Sequence, residues 1–528
     1  MKGRLLAVAA TAVAACYGGA LRFDLHCDDL IVMRPWSWAE LASVWHGTWE
    51  PQHAWAVFFR PLAAWFYAGS FEAFGLHAAP HLLLSLILLT LVAWLIGVFV
   101  ARDTGAWLTG ALAIVIFAVH PNTPMSSGAW VTNDFHKLAL LAVLGTLLLW
   151  QSRRDAPLAR WWPLLLTATA AFLIKEDNVL LLPAVAALHL VRAYWLGIPA
   201  RHRVAAPVIA LAAAAGLTLW RTLALGEIGG FLRHSGVEQL TRNLLRGPLY
   251  VLAGLGGDQA HVGWAPPLIA LLVVTVIVLA LKDRPAHEQW PAIGAAVLMA
   301  MYAAPLVLIS ASTRYYVLTT AGAMLLAVGA RTLWMRAHTA PRRWLVAVGG
   351  LVIVAFAVPR QQATLHAFAP CSALDLDCVG FALSEMPLLP PEARAVEAAL
   401  PSACRTGRPP KIGEEPTLTW GLGTQELDTA DGTLSRRAST RIVSLIAASH
   451  PGATFRLRHA EASPATPVTV QFTIDGAPHA PVVLTSPDWT TIDVTFAPSW
   501  RVWLRAAHRA DIRVSADGLD WRAPVLTR

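Results

Sequence analysis

Apolar stretches of about 14 to 23 residues recur along the first two thirds of the chain, close to the ~20 residues an α-helix needs to cross a bilayer. Eleven such stretches are expected as spans, at 5–21, 79–101, 105–120, 135–150, 161–174, 178–194, 204–224, 264–281, 290–310, 315–333 and 344–358. The stretch 57–78 is apolar too, but it is rich in aromatics and follows Trp36, Trp38, Trp45, Trp49 and Trp55. It reads as an amphipathic segment in the outer interface, where aromatic side chains gather. After Pro359 the period shortens. Runs of four to eight residues alternate at Thr440–Leu445, Thr454–Leu457, Pro467–Ile474, Pro481–Leu484, Thr490–Phe496, Val502–Ala507 and Asp511–Ser515, with turn signals at Asp475-Gly476 and Asp517-Gly518. The pattern predicts a helical polytopic membrane domain over 1–359, a linker with a short helix near Pro391–Leu400 over 360–415, and a β-rich, sandwich-like domain over 416–528.

Composition narrows the class. With 56% hydrophobic residues, 14% charged residues and a mean hydropathy of +0.52, the chain departs from soluble globular usage. Its formal charge of +8 divides into +9 over 1–359 and −1 over 360–528. No basic run, finger or phosphate loop accompanies that excess, so membrane topology explains it better than nucleic acid. With the N-terminus cytoplasmic, alternate loops gather Arg102, Arg153, Arg154, Arg160, Arg192, Arg201, Arg203, Lys282, Arg284, Arg331, Arg336, Arg342 and Arg343 on the inner side. The expected location is therefore the bacterial inner membrane, with the C-terminal domain in the periplasm. Val13-Ala14-Ala15-Cys16 also resembles a lipoprotein cleavage site, although the charge pattern works with an uncleaved first span. Cys27, Cys371, Cys378 and Cys404 fall outside, where disulfides are allowed; Cys371 with Cys378 is the simplest of three pairings.

Ionisable residues near membrane depth are the natural candidates for chemistry, because their burial is costly. Six groups fall on the outer side: Asp24, Asp28 and Asp29; Arg60-Pro61; His120-Pro121; Asn133-Asp134-Phe135-His136-Lys137; Lys175-Glu176-Asp177; and Arg314-Tyr315-Tyr316. Each has a structural alternative. Asp28-Asp29 fits a helix cap before Leu30–Met33, and Asp134 fits a cap for the span starting at Phe135. Lys175 and Glu176 fit a pair at a span end, Arg60 before Pro61 an interfacial anchor, Arg314 a snorkelling terminus and His120-Pro121 a helix stop. Trp489, Trp500, Trp503 and Trp521 are candidates for stacking on sugar rings if exposed, and core residues otherwise.

The order of Asp28-Asp29, Phe58-Phe59-Arg60-Pro61-Leu62, Phe117-Ala118-Val119-His120-Pro121, Trp130 to Asp134, Leu173-Ile174-Lys175-Glu176 and Ser312-Thr313-Arg314-Tyr315-Tyr316 resembles the GT-C superfamily of membrane glycosyltransferases. It is most similar to the membrane halves of the tetratricopeptide-containing O-mannosyltransferase type and their bacterial relatives, over roughly residues 1–340. No 34-residue tetratricopeptide period follows, which puts a protein acceptor in doubt. The resemblance implies sugar transfer, with inversion, from a polyprenyl-phosphate-type donor to an acceptor glycan, lipid or protein outside the membrane. Asp29, with Asp28 beside it, is expected as the base. Arg60, Lys175 and Arg314 are expected to hold the phosphate, with Glu176, Tyr315 and His120 also lining the substrate site. Asp134 is expected to orient the acceptor or to hold, with Asp29, a divalent cation such as Mg²⁺ or Mn²⁺. The rival expectation is a transporter, lipid-linked sugar flippase or lipid-phosphate binder of the cell envelope.

Overall fold

The computed structural model describes residues 1–22, 25, 29–49, 58–75, 77–120, 131–154, 160–198, 205–226, 265–303 and 316–337, isolated positions between 339 and 359, and most of 417–527 in segments. The expected short helix near 391–400, the four outer cysteines, Asp24, Asp28, Arg314, Tyr315, Trp500 and Trp503 lie outside the described residues. Cys16 is a free, buried cysteine.

The helices are α1 (Lys2–Tyr17), α2 (Asp29–Val32), α3 (Trp38–Ser43), α4 (Pro61–Phe74), α5 (Ala78–Thr104), α6 (Trp107–Val119), α7 (Asp134–Arg153), α8 (Trp162–Ile174), α9 (Leu181–Trp195), α10 (Ala205–Leu225), α11 (Ala265–Leu281), α12 (Ala286–Ala303) and α13 (Tyr316–Arg336). Five helical stretches, Lys2–Leu21, Ala78–Thr104, Val131–Arg153, Glu176–Trp195 and Ala205–Leu225, are long and apolar enough to cross a membrane. Shorter apolar helices accompany them at Trp107–Val119, Trp162–Ile174 and Leu271–Leu281. The chain is a membrane protein on that ground. The stretch 344–358 lies almost wholly outside the described residues.

Helix ends follow local chemistry. Gly105 closes α5 in the left-handed region, at φ 66°, which permits the tight turn into α6. Pro121 follows the last residue of α6 and its cap, His120, and cannot prolong the helix. Small residues let α5 and α6 meet: a Cβ at Gly110 would collide with the Gly97 carbonyl. The helices share one core that includes Leu89, Ile96, Ile114, Phe117, Leu144 and Trp150. Outward apolar residues such as Leu211, Leu219 and Leu223 of α10 and Leu271, Leu272 and Leu279 of α11 suit a lipid surround. α4 is different: it is 14 residues long, and Trp65 Nε1 donates to Leu41 O of α3 at 3.2 Å.

The C-terminal region holds two antiparallel sheets. One runs β1 (Thr417–Gly421), β4 (Arg441–Ala447), β10 (Ala507–Val514), β6 (Val468–Ile474), β7 (Ala477–Pro478), with β8 (Val482–Leu484) also on β6. The other runs β2 (Gln425–Asp428), β3 (Leu434–Ala438), β11 (Leu519–Thr527), β5 (Gly452–His459), β9 (Thr490–Thr495). Their buried residues, among them Phe455, Phe472, Ile492, Ile512 and Trp521, form one core separate from that of the helices. β6 alternates strictly: Val470, Phe472 and Ile474 are buried, and Gln471 is exposed between them. Asp475 takes φ 48° at the expected Asp-Gly turn into β7.

Candidate active site

Distant segments converge on the chain just before α7. A 3-10 turn, Val131–Asn133, leads into the helix and presents Thr132. Its backbone N–H and its hydroxyl both donate to Asp29 Oδ1, at 2.5 and 2.7 Å, and Asp29 is fully buried at the start of α2. Tyr67 of α4 donates its phenol to Thr132 O and accepts from Phe135 N at 3.1 Å. It thereby satisfies one of the amides that a helix start leaves without an intrahelical partner. Burial, and then the nearby Asp134 charge, hold the Tyr67 phenol well above its ordinary pKa, so the group stays protonated.

One residue further, Asp134 opens α7, where the helix dipole favours negative charge. Its Oδ1 accepts from Ser85 Oγ of α5 at 2.6 Å and pairs with Lys137 Nζ at 2.5 Å; Lys137 also reaches Ser85 Oγ. Asp134 and Lys137 are each 1% exposed, so these two charges are compensated inside the protein.

Arg60 caps α4, with Pro61 at the first helical position. Its guanidinium forks onto Glu176, Nε to Oε2 at 2.8 Å and Nη2 to Oε1 at 3.1 Å. It also lies over the rings of Phe58, Phe135 and Trp49, at 4.1, 4.6 and 5.5 Å. Trp49 in turn touches Tyr67 and Phe135, at 6.1 and 5.9 Å between centroids. Asp29, Thr132, Tyr67, Asp134, Phe135, Arg60 and Glu176 are therefore one connected cluster drawn from α2, α4, α7 and the turn after α8.

Lys175, the C-cap of α8, pairs instead with Asp177. Asn178 is buried one residue on; its side chain donates to Ala171 O at 3.3 Å and accepts from Tyr302 OH of α12 at 3.4 Å. His120 is buried at the end of α6, and His136 is buried with its ring 4.1 Å from that of Phe135. Of the expected site residues, Asp29, Asp134, Arg60 and Glu176 come together. Lys175 adjoins them through the chain, and His120 is placed at its own helix end.

Tyr67, Thr132, Ser85 and Trp49 are not among the site residues expected from sequence. Tyr67 sits in an apolar run and Ser85 in the middle of a leucine-rich one, so neither carries a local signal. Lys137 did carry one, three residues after Asp134. Of the two readings for the tryptophans, Trp521 takes the core one, at 2% exposed in the β core, and Trp489 is half-buried with the guanidiniums of Arg522 and Arg458 over its ring, at 4.4 and 4.7 Å. Flat aromatic surface there is taken by Arg packing.

The residues do not make an obvious cation cage. Among the described residues no three His, Cys, Asp or Glu side chains cluster as metal ligands. Asp134 Oδ1 already faces the Lys137 ammonium, whereas Oδ2 has no hydrogen-bond partner among the described residues. No step below is routed through a metal.

No family model and no curated protein matches the chain. Among solved structures, that of the arabinosyltransferase EmbB from Mycobacterium smegmatis is similar to it at 13% identity and a TM-score of 0.29, over 99% of this chain. The chain spans 64% of that longer protein. So slight a likeness says nothing about this chain's activity.

Proposed function

We propose that the protein is an integral-membrane glycosyltransferase that moves a sugar from a polyprenyl-phosphate-type donor to a hydroxyl of an extracytoplasmic acceptor. The observation that carries this is the connected cluster in which a first-loop carboxylate, Asp29, and a stacked guanidinium, Arg60, meet around the start of α7. The motif order resembling GT-C transferases, including the O-mannosyltransferase type, supports the same function.

In the proposed step the acceptor oxygen attacks the anomeric carbon as the bond from that carbon to the phosphate oxygen breaks. The hydroxyl proton passes to the Asp29 carboxylate and the bonding pair leaves on the phosphate. A single displacement inverts the anomeric centre. Thr132 holds the Asp29 carboxylate in place through Oδ1. Glu176 takes one edge of Arg60 and leaves guanidinium N–H donors for a phosphate oxygen, with Lys175 nearby in the chain. Asp134, bound to Lys137 and Ser85, opens α7 two residues after Thr132 and is proposed to orient the acceptor. The flippase alternative would draw on that same buried pair at the start of α7.

Mass spectrometry of envelope glycans and polyprenyl-linked sugars would compare wild-type cells with cells carrying Asp29→Asn at matched expression. Loss of one glycan with build-up of its lipid-linked donor supports the proposal and names the sugar. An unchanged profile with the folded protein present overturns it.

A further inference from the structure

A cleft of about 460 Å³ separates the first loop from the C-terminal sheets, within the ~300–1,000 Å³ typical of small-ligand sites. One wall is the outer face of β6 and β10. Register sets Asp511 opposite Thr473 and Arg513 opposite Gln471, while Ile512 and Phe472 between them point into the core. Arg34 and Trp36 after α2, and Glu72 of α4, contribute to the other wall. That wall is ordered. The Arg34 guanidinium lies 4.1 Å over Trp36 and pairs with Glu40 at 3.1 Å, Trp36 Nε1 donates to Val32 O at 3.1 Å, and Ser37 and Glu40 form a reciprocal capping box.

The lining selects a ligand class. Carboxylates accept only and guanidiniums donate only, so together with the Gln471 amide they suit groups that do both, as sugar hydroxyls do. Four carboxylates (Glu40, Glu72, Asp475, Asp511) line the cleft with two guanidiniums; Glu40 pairs with Arg34 and Asp475 with His508 Nδ1 at 2.8 Å, and the remaining excess of carboxylate disfavours an anionic ligand and hence the phosphate donor. Location adds a second constraint. Arg34 lies five residues after Asp29, and Glu72 lies five residues after Tyr67 on α4, about 7.5 Å along the helix axis. Both walls are thus joined to the cluster around Thr132 by short stretches of chain.

We infer that this cleft binds a neutral glycan chain and delivers one of its hydroxyls to Asp29. Binding stands on the cleft alone; the role as acceptor site rests on the transferase proposal. The test uses the full-length protein in nanodiscs and saturation-transfer NMR with mannotriose and cellotriose as neutral probes and trigalacturonate as the anionic one. At least one neutral trisaccharide is expected to bind. Asp511→Ala with Arg513→Ala should weaken it about tenfold or more, and Thr473→Trp, which fills the cleft from a strand position that tolerates aromatics, should abolish it with thermal unfolding unchanged. Binding is read here without turnover, so a failed transferase mechanism and a failed cleft are told apart. No transfer to either neutral probe, transfer undiminished in both cleft variants, or preference for trigalacturonate each overturns the inference.

Discussion

Asp29 and Thr132 make the proposed chemistry testable one atom at a time. Asp29→Asn keeps the shape but removes the proton acceptor, and general-base catalysis contributes roughly 10² to 10⁴-fold, so turnover should fall by that order in single-turnover assays with lipid-linked sugar extracts. A loss under threefold would remove Asp29 from the role of base. Thr132→Val deletes only the 2.7 Å hydroxyl bond and keeps the backbone donor, so its loss should be much smaller. The Asp134–Lys137 pair makes a different prediction, about stability. Breaking a buried pair by removing one partner costs about 3–5 kcal/mol, whereas replacing both with apolar residues is often neutral. Lys137→Met alone should therefore lower the unfolding temperature in detergent markedly, and Lys137→Met with Asp134→Leu should recover most of it. Additive losses would mean that the two charges are not coupled.

Two glycines separate helix contact from helix propensity. Gly110 abuts the Gly97 carbonyl of α5, while a Cβ at Gly145 of α7 meets nothing within 4 Å. Gly110→Val should cost about 1–3 kcal/mol by forcing α5 and α6 apart, and Gly145→Ala should be neutral or stabilising by roughly 0.5–1 kcal/mol; thermal unfolding of the two variants in one detergent checks both. At this scale the sequence was legible where periodicity is local. β6 was readable because Val468 to Ile474 alternates residue by residue, and α5 because 27 residues contain one charged pair, Arg102-Asp103, at their end. β11 was missed because its Pro524 argues against a strand, and the register shift between Arg522 and Val525 is where the sheet accommodates it. The site was legible only in its charges. Asp29, Arg60, Asp134 and Glu176 stand out against apolar surroundings, but the pairing of Asp29 with Thr132 across 103 positions, or of Arg60 with Glu176 across 116, exists only in the folded chain.

Two cores lie in one chain, and that determines how damage should spread. Among the described residues the helical core and the core around Phe455, Phe472 and Trp521 have no residue in common, and the two regions face each other across the cleft. Phe472 is 1% exposed at the centre of the β core and contacts Phe455 at 5.8 Å between ring centroids. Phe472→Ala should therefore cost the β region about 3–5 kcal/mol, most of what a small domain has. The helical region should be spared, because among the described residues Phe472 belongs to the β core and not to the helical one. Limited proteolysis of the full-length protein in nanodiscs, followed with temperature, resolves the two: the β region should become protease-sensitive at a lower temperature in the variant, while a helical fragment survives to the wild-type limit. If both regions fail together, the walls of the cleft carry enough energy to make one cooperative unit. A cleft stiff enough for that would present its glycan to Asp29 as a fixed geometry rather than as a tethered encounter.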